Sequence, residues 1–292
     1  MNRKDFLKTM ITTAGAVSLG TSIKALSENL TEQDEKMPVL FIGHGSPMNA
    51  IENNEFSRTW SALAQDMPRP KAILCVSAHW LTRGTHVTAM EKPKTIHDFG
   101  GFPKALFDVE YPAVGNPELA KEVAANIKST TVGLDTQEWG FDHGSWSVVR
   151  PMYPNADIPL LQMSIDYYKA PQYHYDLAKE LAFLRKKGVL IIGSGNMVHN
   201  LGMATFGNLN GPGYDWAIEL NETFKKKITD GDHKPLIDYR SLGKAAELAI
   251  PTPDHYYPLL YSLGLQEKDE KVNIFNDKAV AGSLTMTSVR IG

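Results

Sequence analysis

The sequence predicts a single α/β domain with a central, mostly parallel or mixed sheet flanked by helices. Short apolar runs bounded by glycine have the length and composition of buried strands, at Val39–Ile42, Ala72–Val76, Leu160–Ile165 and Val189–Ile192. Segments with the apolar spacing of helices lie between several of these runs. Strands that alternate with helices are typical of an α/β domain, and we expect functional groups to meet at the carboxyl ends of the strands.

The helical segments have recognisable ends. They are expected at Pro117–Lys128, Pro171–Lys187 and Tyr214–Ile228. Proline suits the first turn of a helix, and a basic run followed by Gly188 suits the end of the second one. Two further segments, His86–Met90 and Ser283–Ile291, alternate in polarity and are expected as half-buried or edge strands.

Composition limits the function. Residues 37–292 contain no low-complexity linker, so we expect one catalytic domain there. The net charge of −3 gives no basic face for nucleic acid. Cys75 is the only cysteine, which excludes internal disulfides and cysteine-based zinc sites. A metal site would therefore use imidazole and oxygen ligands.

The first 30 residues have the pattern of a leader segment. A basic stretch, Met1–Lys8, precedes the mildly apolar Thr9–Leu19, and Ala25-Leu26-Ser27 offers a small-residue cleavage pattern. The basic stretch is similar to a twin-arginine signal, with Lys4 in place of the second arginine. We expect export to the periplasm, or otherwise a cytoplasmic protein. No apolar run approaches the roughly 20 residues of a membrane span, so none is expected.

Three of the predicted strands run toward a histidine. His44 follows the first strand, His79 follows the second, and His199 comes shortly after the strand that ends near Ile192. Equivalent strand ends meet in space, and several neutral imidazoles around an open position make a catalytic metal site. A serine hydrolase is disfavoured, because Met48 stands where the last glycine of a nucleophile elbow would be.

Five ordered motifs carry a resemblance to a known family. They are Gly43-His44-Gly45-Ser46-Pro47, Ser77-Ala78-His79-Trp80, Phe141-Asp142-His143-Gly144-Ser145-Trp146, Gly195-Asn196-Met197-Val198-His199-Asn200 and Thr252-Pro253-Asp254-His255-Tyr256. From about Pro38 to the C-terminus, the chain resembles the 4,5-DOPA extradiol dioxygenases, relatives of the catalytic subunit of protocatechuate 4,5-dioxygenase. The resemblance implies an enzyme that inserts O2 beside the two hydroxyls of a catechol such as L-DOPA.

The resemblance also implies roles for single residues. His44, His79 and His255 would hold the metal, with His199 either a fourth ligand or an acid/base catalyst, and His143 a second catalytic histidine of the pocket. The metal would be Fe(II) in the active enzyme, and Zn(II) could occupy the same site. Non-haem iron sites usually contain two histidines and a carboxylate. Asp254 and Glu247 are therefore alternatives to His255 as the third ligand.

Other residues near these motifs could contact substrate. Asn196, Trp80 and Tyr256 are the candidates, although turn formation, helix capping or core packing would equally explain them. The segment His97–Pro103 is expected to be a mobile loop over the site. Asp142 could orient its neighbour His143 or simply form a turn. Surface positions are expected for the remaining histidines, His86, His174 and His233.

Two other functions remain open at this point. The same histidines could activate water in a zinc-dependent hydrolase, or hold a metal in a protein without catalytic activity.

Overall fold

The computed structural model describes residues 30–32 and 34–292. The predicted leader lies outside the described residues, apart from Leu30. The strands are β1 (Val39–Gly43), β2 (Ala72–Thr82), β3 (Thr85–Thr88), β4 (Lys94–Thr95), β5 (Val132–Asp135), β6 (Gly140–Phe141), β7 (Leu160–Asp166), β8 (Val189–Gly195), β9 (Val272–Phe275), β10 (Ala279–Val280), β11 (Leu284–Thr285) and β12 (Ser288–Ile291).

The helices lie mainly between the strands. They are α1 (Glu55–Asp66), α2 (Lys104–Phe107), α3 (Pro117–Asn126), α4 (His143–Met152), α5 (Pro171–Glu180), α6 (Phe183–Lys186), α7 (Asp215–Thr229), α8 (Lys234–Ile237), α9 (Lys244–Ala249) and α10 (Tyr257–Gly264). Short 3-10 helices occur at Pro47–Ala50, Leu201–Met203 and Tyr239–Leu242. Within the described residues, no helix has the length and apolar character that crossing a membrane requires.

Eight strands form one mixed sheet in the order β5-β3-β7-β2-β8-β1-β12-β9. The central strands β7, β2, β8 and β1 are parallel to one another. Antiparallel pairings join β3 to β7, and β12 to both β1 and β9. The predicted fold class, an α/β domain with a mostly parallel or mixed sheet, is confirmed.

Both faces of the sheet are buried. In β1, Val39 and Phe41 belong to one apolar cluster, while Leu40 and Ile42 belong to a second cluster. Because side chains alternate across a strand, these two clusters are the two layers of core that cover the sheet. The wholly apolar predicted strands follow from this burial on both faces.

Strand β2 differs most from its prediction. It continues to Thr82 instead of ending at Val76, and its register against β7 is interrupted between Val76 and Leu81. Bulges of this kind bend a strand and redirect a side chain, and they are common beside active sites. His79 therefore lies within the irregular part of a strand and not in the loop after one.

The predicted helix Pro171–Lys187 is in fact two short helices, α5 and α6. Leu181 and Ala182 interrupt it with tight turns whose N–H groups bond to carbonyls three residues earlier. Gly188 has a φ of +76°, as expected for a glycine that ends a helix. Arg185, the first residue of the basic run at the end of the predicted helix, is buried.

The predicted strand Ser283–Ile291 is also divided, into β11 and β12. His174 was expected on the surface, and this prediction is wrong. Its side chain is fully buried and stacks on Tyr257 with 4.2 Å between ring centroids. Its Nδ1 lies 3.2 Å from the hydroxyl of Tyr261, so the polar face of α5 points into the core at this residue.

Candidate metal centre

The carboxyl ends of the central strands bring the predicted histidines together. Gly43 pairs with Gly195, so β1 and β8 end side by side, and His44 follows β1 directly. The N–H of His44 donates to the carbonyl of Gly195 at 3.0 Å. The N–H of Asn196 donates to the carbonyl of His255 at 2.9 Å. These backbone bonds tie three of the five motifs into one site.

Gly195 shows why glycine occupies this point. A Cβ there would collide with the carbonyl group of His255, whose carbon would lie only 3.0 Å away. The absence of a side chain allows the two backbones to approach each other. The glycine thus places His255 beside the end of β8.

His143 reaches the site from the other side, as the first residue of α4. Asp142 is the N-cap of that helix, and its carboxylate accepts from the N–H of Ser145 at 3.1 Å and from the hydroxyl of Ser77 at 2.7 Å. Burial and the charge of Asp98 raise the pKa of Asp142 to about 6. The carboxylate of Asp142 therefore caps the helix, which agrees with the turn interpretation of this residue.

Four imidazole rings surround a common point. The ring of His79 lies 5.1 Å from that of His44, 3.8 Å from that of His143 and 5.0 Å from that of His255, measured between centroids. The His44 ring lies 5.2 Å from the His255 ring. The two Nε2 atoms of His44 and His79 are 3.3 Å apart.

The tightest group of potential ligand atoms differs from the predicted one. Nitrogens of His44, His79 and His143 all lie within 4.8 Å of one another. This group contains two of the predicted ligands together with His143, which the sequence assigned to acid/base or substrate contact. His255 lies close to two of these rings but outside that group.

His199 lies against His255 rather than among the other rings. Their rings are stacked, with centroids 3.6 Å apart and planes 6° from parallel. The backbone of His199 is fixed by an N–H bond of 2.8 Å to the carbonyl of Ala249. Burial and the nearby His255 lower the pKa of His199 to about 3, so its ring is neutral at neutral pH.

Ser194 fixes the tautomer of His44. The hydroxyl of this fully buried serine donates to the carbonyl of Gly144, so it can only accept from Nδ1 of His44, which lies 3.0 Å away. The proton of His44 therefore sits on Nδ1, and Nε2 keeps its lone pair. Burial and the neighbouring histidines hold the pKa of His44 well below its ordinary value.

The Nδ1 atom of His255 also faces an acceptor, in this case a carboxylate. This nitrogen is hydrogen-bonded to Oδ2 of Asp254. Burial raises the pKa of Asp254, but the contact with His255 outweighs it and the pKa is lowered. Asp254 thus acts as partner of His255, whereas Glu247 is exposed on α9. Of the three alternatives for this motif, His255 has the free ring nitrogen.

Asp98 lies close to two of the rings, those of His79 and His143. Its Oδ2 is 3.4 Å from Nδ1 of His79, and its Oδ1 is 3.0 Å from Nδ1 of His143. The angle at His143 is not that of a hydrogen bond, so this contact is electrostatic. Burial raises the pKa of Asp98, but the contacts with His143 lower it by more. The net effect is a pKa below the ordinary value, which keeps the carboxylate charged.

These arrangements fit a metal ion. Metal-binding histidines usually direct their second ring nitrogen to a carboxylate, a carbonyl or another acceptor. His44, His79 and His255 each have such an acceptor beside Nδ1 and a free Nε2. Burial and the neighbouring histidines also lower the pKa of His79, so its ring is neutral, as ligation requires.

The predicted substrate residues lie in different surroundings. The buried ring of Trp80 stacks on Trp139, with centroids 5.7 Å apart, and lines a separate pocket next to His86. The hydroxyl of Tyr256 donates to the carbonyl of Leu236 at 2.8 Å inside the core. The positions of these two rings therefore favour the packing interpretation over contact with substrate.

The two asparagines of the fourth motif differ. Asn200 accepts from the N–H of Met203 and caps a 3-10 helix, which agrees with the capping alternative. Asn196 is buried and its amide donates to the carbonyl of Thr285 at 2.8 Å. Its Oδ1 has no hydrogen-bond partner among the described residues and remains available as an acceptor.

The loop at His97–Pro103 lies over the histidines, as predicted. The ring of Phe99 meets His143 edge-on at 5.5 Å, and Phe102 and Phe107 pack against Phe99. His97 itself bonds to the carbonyl of Val109 at 2.9 Å, which makes it part of the loop's support. The loop therefore adds an aromatic wall beside the imidazoles.

Two functional candidates were missed by sequence reasoning. Ser194 stands between two glycines, a pattern that gives no signal of its contact with His44. Asp98 stood in a loop, where an aspartate beside glycines usually indicates a turn. Asp254 differs from both, because it directly precedes the candidate ligand His255 in the sequence and could be recognised from that position.

Comparisons with known proteins agree with the site. Residues 37–292 match the family described as the catalytic LigB subunit of aromatic ring-opening dioxygenase. A 4,5-DOPA dioxygenase extradiol of Escherichia coli K12 is 47% identical over 91% of this chain and 99% of its own length. One from Beta vulgaris is 33% identical over 88% of this chain and 97% of its own.

A solved structure supports the same assignment. The crystal structure of an uncharacterized protein from Escherichia coli K12 has a TM-score of 0.77 and 43% identity, and covers 88% of this chain and 100% of that one. The resemblance found in the motifs is thereby confirmed. The chain belongs to the family of the catalytic LigB subunit of aromatic ring-opening dioxygenases, oxidoreductases that act on an aromatic substrate and O2.

Proposed function

We propose that the protein is a metal-dependent extradiol dioxygenase that opens the ring of catechols such as L-DOPA. The observation that carries the proposal is the cluster of imidazole rings, of which His44, His79 and His255 each have an acceptor beside Nδ1. Relatives named 4,5-DOPA dioxygenase extradiol support the choice of substrate.

Three histidines would hold the metal through Nε2: His44, His79 and His255. Bound Fe(II) would supply the redox chemistry that O2 requires and a template for the two catechol oxygens. Zinc has no redox chemistry, so Zn(II) in the same place would give an inactive enzyme. Because His143 lies close to His44 and His79, it is the alternative to His255 as third ligand. Substitution of His143 and of His255, one at a time, would show which of the two is needed for metal binding.

Proton transfer would belong to the remaining histidines. His199 lies against His255, with 3.6 Å between the ring centroids, and would be the group that accepts a proton from a catechol hydroxyl. His143 has Asp98 beside Nδ1, and its Nε2 is therefore the atom free to hold or release a proton toward substrate.

Aromatic side chains would select a flat substrate. Phe99 presents its ring to His143, and Trp146 lies 6.1 Å from Phe99 between centroids. Aromatic pairs favour edge-on and offset contacts, so a catechol ring is a suitable occupant of the space beside them. The free Oδ1 of Asn196 could accept a hydrogen bond from a polar substituent of the substrate.

The test is oxygen uptake after anaerobic loading with Fe(II). We expect a catechol panel that includes L-DOPA to give uptake together with a yellow ring-opened product, and the zinc-loaded protein to give neither. Absence of uptake with every catechol would contradict the proposal. Amide or ester hydrolysis by the zinc form, without any oxygen uptake, would instead favour the hydrolase alternative.

We further propose that residues 1–30 direct export through a twin-arginine-like signal. The support is the pattern of a basic stretch, a mildly apolar stretch and a small-residue cleavage pattern. Cell fractionation of the full chain with a C-terminal tag tests this. A shortened periplasmic form is expected, and a full-length form confined to the cytoplasm would contradict it.

A further inference from the structure

Asp98 contacts two histidines of the site with one carboxylate. Its Oδ1 accepts from the backbone N–H of His143 at 2.9 Å and lies 3.0 Å from Nδ1 of the same residue. Its Oδ2 lies 3.4 Å from Nδ1 of His79. The side chain of Asp98 is 20% exposed, so the two oxygens face the histidines in a partly buried environment.

Two contacts of the preceding residues hold Asp98 in place. Thr95 of β4 pairs with Phe141 of β6 in parallel register, so the residues that follow each strand run side by side. The indole of Trp146 then donates to the carbonyl of Ile96 at 2.9 Å. On the far side, Nε2 of His97 bonds to the carbonyl of Val109. Asp98 is therefore fixed by the residues immediately before it.

A carboxylate differs from an amide in a way that matters here. Ionised aspartate offers two acceptor oxygens, whereas asparagine offers one acceptor and one donor. A negative oxygen beside Nδ1 favours the tautomer with its proton on Nδ1, which leaves Nε2 free. Because Asp98 has a separate oxygen near each ring, it can favour that tautomer in both histidines at once.

We propose that Asp98 is a positioning residue that sets the tautomers of His79 and His143 together. One carboxylate thereby keeps Nε2 of His79 ready for the metal and Nε2 of His143 ready for a proton. The inference rests on the proposed function, in which His79 is a ligand and His143 an acid/base. It adds a link between metal binding and proton transfer through one side chain of the covering loop.

The test is the Asp98→Asn variant. If the amide oxygen stays on the N–H of His143, the amide NH2 faces Nδ1 of His79 and favours a proton on Nε2, where it competes with the metal. We expect the Kd for Zn(II), measured by competition with a chromophoric chelator, to rise about 10- to 100-fold. The matched control is Asp108→Asn, because Asp108 lies farther along the same segment and, among the described residues, forms an ion pair with the exposed Lys104 alone. The control should bind zinc as the wild type does.

A second measurement needs no variant. Ring ¹⁵N spectra of the zinc-loaded wild type should show His79 and His143 both protonated at Nδ1, and a proton on Nε2 of either ring would overturn the inference. Equal zinc affinity of Asp98→Asn and wild type would also overturn it while leaving the proposed function intact. If the wild type itself does not bind zinc, the metal centre and the inference fail together.

Discussion

Gly144 is the second residue of α4, at the point where that helix comes closest to β2. A Cβ at this position would collide with the hydroxyl of Ser77 and lie 2.8 Å from Cδ2 of His79. Ordinary van der Waals contact begins at 3.4 Å, so the ring of His79 would have to move by about 0.6 Å in Gly144→Ala. Ser77 cannot easily give way, since its hydroxyl donates to the buried carboxylate of Asp142.

Two measurable effects follow from Gly144→Ala. Alanine is the better helix former by about 1 kcal/mol, so helix propensity alone would stabilise α4. The collision opposes this, and overpacking costs about 1–3 kcal/mol, so we expect a net loss in the free energy of unfolding. Displacement of His79 should also lower kcat/KM about 10- to 100-fold, because small misplacements of reacting groups are costly.

Urea denaturation of the metal-free protein and oxygen uptake of the Fe(II)-loaded protein measure the two effects. The control is Gly207→Ala, because nothing lies within 4 Å of a Cβ built at Gly207 and its φ is not positive. If Gly144→Ala matched the wild type in both stability and kcat/KM, the close approach of α4 to the site would be wrong as an explanation of this glycine.

Further predictions concern proton transfer, pH and the core. His199→Ala should retain zinc affinity but lose oxygen uptake if His199 is an acid/base, whereas parallel loss of zinc binding would make it a ligand. The pKa of buried His174 is lowered to about 4, so the folded state takes up its proton only below that pH, while the unfolded state does so near the ordinary value of 6.5. The free energy of unfolding should therefore decrease as the pH is lowered from 6.5 to 4. In His174→Gln this decrease should be smaller, as measured by urea titration at each pH. Arg185→Met removes the buried partner of Glu270 and should lower the free energy of unfolding by about 3 kcal/mol, again measured in urea; a change below about 1 kcal/mol would contradict a structural role for this pair.

The sequence predicted the central strands because they are buried on both faces. Val39–Ile42 and Val189–Ile192 are purely apolar, and that composition is typical of strands covered by core on each side. It did not predict that β2 continues through Ser77 and His79, since a mixed polar segment gives no period. The break between α5 and α6 was also missed, because the leucine spacing continues through it.

The candidate site was predicted in outline for a related reason. Strand ends and glycines mark the positions of His44 and His199, and both signals are visible in the sequence. The roles of Asp98 and Ser194 depend on contacts between distant segments, such as the pairing of β4 with β6 over two residues. So short a pairing leaves no pattern in the sequence. His174 was misplaced because a polar residue in an amphipathic helix usually faces water.

The antiparallel pairing of β1 with β12 has a practical consequence for engineering. Val39 lies opposite Ile291, so these two residues are neighbours in space, at the amino end of β1. His44 lies at the other end of that strand, and the junction is therefore remote from the imidazoles. A short linker could join residue 292 to residue 37, and a circular permutant could be opened at an exposed turn such as Gly231.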